Sequence, residues 1–85
     1  MNAPQETKQA IHLLKKDTHR MAGRLCDLSQ ALAERADSLA WQEMPASRIA
    51  STKIFTAAEA EAIVFILAET GGDLDSVDHW LIFGW

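Results

Sequence analysis

The sequence predicts an all-α protein that forms a single domain. A chain of 85 residues has room for one hydrophobic core. Apolar residues make up 48% of it, mostly Ala, Leu and Ile, with four Gly, two Pro and no Tyr, a composition typical of helices. Apolar side chains also recur at alternating spacings of three and four across residues 11–39. We therefore expect a helical hairpin, in which a second helix folds back on a long first helix.

The long first helix is predicted over residues 5–43, which contain no proline and one glycine. Arranged as heptads, the segment places polar residues at three seam positions, Thr18, Arg35 and Gln42. Thr18 and Arg35 weaken the seam too much for a free-standing coiled coil. Gly23 falls on the solvent side and leaves two alternatives open, one continuous helix or two helices with a kink near Gly23. The apolar seam residues are Ile11, Leu14, Met21, Leu25, Leu28, Leu32 and Leu39.

A connector is predicted over residues 44–55, because the residue before Pro45 is pushed out of the α-helical region. Its apolar side chains are expected to turn inward and anchor it to the core. These side chains are Ile49, Ile54 and Phe55.

The second helix is predicted over residues 56–70. Thr56 and Glu59 have the spacing of a capping box, in which each side chain accepts a hydrogen bond from the backbone amide of the other residue. An apolar run at residues 62–68 follows, and Gly71 can adopt the left-handed conformation that ends many helices. β-Branched residues make a strand conceivable here, but the capping box, the alanines and the length favour a helix.

A short C-terminal helix is predicted over residues 73–83, with Asp73 or Asp75 as its N-cap. Its apolar residues recur at positions i, i+3 and i+7, so they share one face. They are Leu74, Val77 and Leu81.

The unequal lengths of the two main helices predict a homodimer. The first would be about 50 Å long and the second about 20 Å, at 1.5 Å per residue, so one short helix cannot cover the whole apolar seam. The second helix is also apolar around too much of its circumference for one neighbour. Two-fold pairing into a four-helix bundle would bury both surfaces.

Candidate metal and catalytic residues lack the spacing that their chemistry needs. His12, His19 and Cys26 are seven residues apart, about 10.5 Å along a helix, which is too far for one ion to bridge. Residues 73–78 carry three carboxylates, but the segment lacks the central glycine and the closing glutamate of a calcium-binding loop. These carboxylates are better explained as caps at the start of a helix. No nucleophile, phosphate-binding or dinucleotide-binding motif occurs, so we expect neither an enzyme nor a cofactor.

Charge is distributed unevenly along the chain, whose net charge is −4. Residues 1–24 carry five basic and two acidic side chains, whereas the remaining residues carry three basic and ten acidic ones. This negative net charge disfavours duplex nucleic acid as the main ligand, because contacts with phosphates supply most of a protein's non-specific affinity for nucleic acid. The basic N-terminal segment is a candidate surface for an anionic partner, and its residues are Lys8, Lys15, Lys16, Arg20 and Arg24.

A second candidate surface is the aromatic tail formed by Trp80, Phe83 and Trp85. We expect these rings to close the core. The alternative is an exposed patch that docks on a partner, because Trp is favoured at binding hot spots.

These patterns predict a non-catalytic interaction or regulatory protein that docks a helical face or the aromatic tail on another protein. The alternative is a small nucleic-acid-binding regulator that uses the basic N-terminal helix. Cys26 is the only cysteine, which is typical of a reducing compartment, and no apolar stretch approaches the roughly 20 residues that span a bilayer. We therefore expect a cytoplasmic protein with no membrane partner.

Overall fold

The computed structural model describes residues 5–35 and 40–84, and every regular element within these ranges is helical. The predicted all-α class is thereby confirmed. None of the described helices combines the length and the apolar character that crossing a bilayer requires. The elements are α1 (Gln5–Lys16), α2 (Thr18–Glu34), a 3₁₀ turn (Trp41–Glu43), α3 (Ala46–Ala50), α4 (Ala57–Thr70), α5 (Leu74–His79) and a π-helical turn (Trp80–Gly84).

The predicted first helix is divided at Asp17, so both the continuous helix and the kink near Gly23 are wrong. Asp17 has backbone angles of φ −118° and ψ 28°, outside the helical region, while Gly23 lies within α2. Asp and Thr are weak helix formers that favour helix starts. The break therefore falls where Asp17 precedes Thr18, the polar residue that also interrupts the apolar seam.

The predicted extension of the first helix to residue 43 is also wrong. The helix α2 ends before Arg35, and residues 41–43 form the 3₁₀ turn. Residues 36–39, which include the predicted seam residue Leu39, lie outside the described ranges. The Arg35 guanidinium donates hydrogen bonds to the hydroxyl and carbonyl oxygens of Ser51, at 2.6 and 3.2 Å. This seam position therefore faces the connector rather than the core.

Division of the first helix allows both halves to pack within one chain. The central helix α4 contacts α1, α3 and α5, and α2 packs on α5. The Cα radius of gyration is 11.7 Å, close to the value of about 12 Å expected for a compact chain of this length. Six seam residues are buried between these helices: Ile11, Leu14, Met21, Leu25, Leu28 and Leu32. Among the described seam residues, none is left uncovered to motivate a dimer, and the homodimer stays a prediction.

The connector contains a short helix, α3, that was not predicted from the sequence. Ile49 and Phe55 are buried in the core and Ile54 is partly buried against it, so the inward anchoring is confirmed. The Thr52 hydroxyl donates to the Ile49 carbonyl oxygen at 2.7 Å. This bond closes the turn that follows α3.

Both predicted end signals of α4 are confirmed. The Glu59 amide donates to the Thr56 hydroxyl at 3.1 Å, and the Thr56 amide donates to Glu59 Oε1 at 2.9 Å. At the other end, Gly71 has a left-handed φ of 61°, and its amide donates to the Leu67 carbonyl oxygen at 2.8 Å. The capping box and this glycine together fix the length of the central helix.

Replacing Thr56 by alanine is expected to lower the free energy of unfolding by about 0.5–2 kcal/mol, because the Glu59 amide loses its acceptor. A urea denaturation curve measures this change. Thr52→Ala is the control, because it removes a threonine hydroxyl from the connector and leaves the capping box intact. An unchanged midpoint for Thr56→Ala would show that the capping box does not hold the start of α4.

Candidate interaction surface

Arg24, one of the predicted partner-binding residues, joins α2 to the connector and to the start of α4. Its guanidinium donates to the Ile54 carbonyl oxygen at 3.1 Å and to Glu59 Oε1 at 3.0 Å. The same group lies 4.3 Å from the centroid of the Phe55 ring, a cation–π distance. Only a quarter of the side chain is exposed. Arg24 therefore contributes its charge to the fold rather than to the surface.

The contacts of Glu59 alter its acidity. Burial raises the pKa of this carboxyl, but hydrogen bonds from the Thr56 amide and from Arg24, together with the positive charge of Arg24, outweigh that effect. The net result is a pKa below its ordinary value of 4.5. Glu59 is therefore held as a carboxylate that serves both the capping box and the Arg24 contact.

The Asp17 carboxylate at the helix break is surrounded by basic groups. Its Oδ1 lies 3.6 Å from Arg20 Nε and 3.8 Å from His19 Nε2, and its Oδ2 lies 3.8 Å from Arg24 Nη1. Negative charge at this position is favoured by the N-terminal end of the α2 dipole. The Arg20 side chain is 72% exposed, so its pair with Asp17 contributes little to stability.

One lysine of α1, Lys15, lies beside Trp80 of the aromatic tail. Lys8 and Lys15 are seven residues apart on α1 and therefore share one side of it, and both are half-buried at the edge of the core. The ammonium group of Lys15 lies 5.6 Å from the centroid of the Trp80 ring. Lys16 is exposed on the outer side of α1. The structure thus brings together part of the basic face and the aromatic tail, which are far apart in the sequence.

The aromatic tail closes the core only in part. Trp80 is half-buried and packs against the core, and its neighbour Leu81 is 1% exposed. Phe83 is 72% exposed, so the expectation that it closes the core is wrong. Trp85 lies outside the described residues. With Leu81 turned inward, Ile82 and Phe83 lie on the outer side of the π-helical turn.

Two adjacent apolar side chains form what we call the C-terminal patch. Ile82 and Phe83 are 50% and 72% exposed, and His79 and Trp80 border them. The His79 and Phe83 rings lie 4.8 Å apart between centroids, tilted by 46°. Beside Trp80 and His79 is an open hollow of about 480 Å³. The patch therefore combines exposed apolar area with an adjoining depression.

A third exposed apolar side chain, Leu13, lies apart from the patch. It is 61% exposed and lines a hollow with Ala10, Thr56 and Glu59, at the start of α4. Lys15, two residues further on, faces Trp80 instead. Single exposed apolar residues are common on protein surfaces, and Leu13 therefore serves as a matched control for the patch.

The acidic C-terminal cluster lies in a cleft of about 330 Å³ between α2 and α5. Asp73 Oδ1 accepts a hydrogen bond from the Ser76 amide at 3.2 Å, which confirms the capping role. Asp75, Asp78 and the exposed Cys26 also line this cleft. Within residues 5–35 and 40–84, no three His, Cys, Asp or Glu side chains are grouped as metal ligands would be.

Comparisons with protein-family models, with curated proteins and with solved structures found no match to this chain.

Of the exposed residues of the C-terminal patch, Ile82 was not predicted from the sequence. The signal was present, because the i, i+3, i+7 spacing that places Leu81 on the buried face directs Ile82 away from it. The pairing of Lys15 with Trp80 had no sequence signal, since it depends on how α1 packs on the C-terminal turn.

Proposed function

We propose that this protein is a non-catalytic interaction protein of a regulatory or adaptor kind, which binds a partner protein through the C-terminal patch. The observation that carries this proposal is the exposure of Phe83, 72%, directly beside Ile82. Leaving two large apolar side chains in water forgoes the stabilisation that their burial would give. Adjacent exposed apolar residues are a feature of binding sites, and aromatic side chains are favoured at their centres.

The chemistry of the polar groups supports a binding role over a catalytic one. The carboxylates of Glu59 and Asp17 both form ion pairs with Arg24, and the Asp73 carboxylate caps α5. These described carboxylates have structural partners, and the thiol of Cys26 lies on the surface. A reducing compartment would keep that thiol free, so we also propose a cytoplasmic location.

Nucleic-acid binding through the basic N-terminal helix is the second candidate. Lys16 and Arg20 are exposed and favour it. Against it, Arg20 and Arg24 lie beside the Asp17 carboxylate, and Arg24 also beside Glu59, which reduces the positive charge offered to phosphates. A gel shift with generic duplex DNA that weakens steeply with salt would support this candidate.

A homodimer remains part of the proposal. Pairing of two helical hairpins into a four-helix bundle would use the seam, but the described seam residues are already buried within one chain. We therefore place a dimer contact on the remaining exposed surface. Light scattering at micromolar concentration measures it: twice the chain mass supports the dimer, and the chain mass at all concentrations opposes it.

Site-specific photo-crosslinking tests the partner-binding proposal. A photoreactive amino acid at Ile82, introduced in the native cell, is expected to form a covalent adduct with one partner protein. The same probe at Leu13 is the matched control, since Leu13 has similar exposure but lies outside the patch. Equal adducts from both positions, or none from Ile82, would contradict the proposed surface.

A further inference from the structure

We propose that two copies of this chain exchange α1, so that α1 of each copy packs on α4 of the other, with Asp17 as the hinge. This exchange is separate from the proposed docking function and does not rest on it. It uses surfaces that are already in contact within one chain, so it gives a different dimer from one that joins exposed surfaces. Three features of the break favour it: the length of the link, the missing cap at the start of α2, and the register of the seam.

The link between α1 and α2 is a single residue. The helix α1 ends at Lys16 and α2 begins at Thr18, and Asp17 between them has φ −118° and ψ 28°. Rotation of these two angles by about 55° and 70° brings Asp17 to a helical conformation and makes α1 and α2 one helix. Short hinges favour the exchange of an element between chains.

The start of α2 lacks the side-chain cap that α4 and α5 have. The Thr56 and Asp73 side chains accept hydrogen bonds from backbone amides at the starts of α4 and α5. Within the described range 5–35, the Asp17 side chain makes no such bond to α2. In one continuous helix, the amides of Thr18 and His19 would donate to the carbonyl groups four residues earlier. The continuous form therefore offers acceptors that the break does not supply.

The apolar seam keeps its register across the break. Leu14 and Met21 are the buried residues nearest to Asp17 on either side, and they are seven residues apart, about two helical turns. In a continuous helix they would therefore share one face with Ile11 and Leu25. The same sequence suits a divided helix within one chain and a continuous helix that spans two chains.

Straightening at Asp17 turns α1 away from α4 of its own chain. The 12 residues of α1 would then extend about 18 Å beyond the start of α2. Because α1 packs chiefly on α4 and also on the π-helical turn, both surfaces lose their cover. The buried side chains Ala10, Ile11 and Leu14 of α1 lose theirs at the same time. A second copy supplies both missing surfaces, since each α1 occupies the place that the other has left.

A crosslink between differently labelled copies tests the exchange on the full-length chain. Unlabelled chain with a photoreactive amino acid at Gln9 is unfolded in urea together with isotope-labelled, unsubstituted chain. The mixture is refolded at about 1 mM, since mass action favours association, and the dimer is isolated by size exclusion. Gln9 and Ala58 of α4 line the same hollow. We therefore expect mass spectrometry to find unlabelled α1 peptides joined to labelled α4 peptides, whereas a dimer of exposed surfaces joins α1 to α4 within the unlabelled chain.

Paired substitutions of Asp17 test the hinge. Alanine favours a helical conformation over glycine by about fivefold, and both variants lose the same carboxylate. Because two hinges straighten in each dimer, the dissociation constant of Asp17→Ala is expected to be about thirtyfold lower than that of Asp17→Gly. Asp27→Ala and Asp27→Gly are the matched control, since Asp27 is exposed within α2 and is helical in both forms. Their dissociation constants, measured by sedimentation, are expected to agree within about twofold.

Four outcomes would overturn the exchange of α1. They are a monomer after refolding of both the unsubstituted chain and Asp17→Ala, a dimer in which the crosslink never joins differently labelled chains, equal dissociation constants for the two Asp17 variants, and a difference as large between the two Asp27 variants. Circular dichroism checks that each variant is folded, and the crosslink in the chain without a hinge substitution does not depend on them. The adduct at Ile82 is measured separately, so the docking proposal is tested independently.

Discussion

Replacing Leu81 by alanine is expected to lower the free energy of unfolding by about 2–5 kcal/mol, the range for deleting a buried leucine side chain. Leu81 is 1% exposed and belongs to the core with Leu74 and Val77. Its loss leaves a cavity next to α5. Urea denaturation followed by circular dichroism measures the change.

The matched variant is Phe83→Ala, two residues further along the same turn. Because Phe83 is largely exposed, its truncation is expected to alter the unfolding free energy by only about 0.5 kcal/mol. Similar losses of unfolding free energy for Leu81→Ala and Phe83→Ala would mean that the whole π-helical turn belongs to the core, contrary to the exposure of Phe83.

Arg24→Ala is expected to produce the second large effect, a loss of about 1.5–3 kcal/mol, the range for hydrogen bonds to charged groups. The substitution removes the donor to Ile54 and Glu59 and the cation over Phe55. Arg20→Ala is the control, since Arg20 also pairs with Asp17 but is exposed, and a change within about 0.5 kcal/mol is expected there. Equal effects would show that Arg24 is an ordinary surface residue.

The contact between Arg24 and Glu59 predicts that the stability of the fold depends on pH. The folded protein lowers the pKa of Glu59 below its ordinary value of 4.5, so the carboxylate form is favoured by folding. The resulting stabilisation is fully present above pH 4.5 and is lost as the pH falls through the lowered pKa. In Arg24→Ala this part of the acid sensitivity should diminish, because one of the groups that lower the pKa is gone. Denaturation midpoints at neutral and acidic pH, for both proteins, measure the difference.

Local signals predicted the ends of α4, but the course of the first helix depended on tertiary packing. Thr56, Glu59 and Gly71 act on neighbours within a few residues, so their roles could be inferred from the sequence. The break at Asp17 lets α1 pack on α4 while α2 packs on α5, and a heptad pattern contains no information about those neighbours. Asp17 followed by Thr18 was the available local sign, since both residues favour helix starts.

The candidate surface was predictable in its residues but not in its arrangement. Arg24 belonged to the predicted basic face, yet its partners Ile54 and Glu59 lie 30 and 35 residues further along the chain. No spacing rule connects residues so far apart. Conversely, Phe83 was expected to close the core, although the periodicity that buries Leu81 already directed Ile82 and Phe83 outward.

We propose that the C-terminal patch, which is exposed, binds a partner protein and is not needed for folding. The most direct test measures both properties of Phe83→Ala, with the photoreactive amino acid at Ile82 in each protein. We expect an unfolding free energy within about 0.5 kcal/mol of that of the unsubstituted protein, together with loss of the partner adduct. A large loss of stability, or an adduct as strong as in the unsubstituted protein, would contradict it.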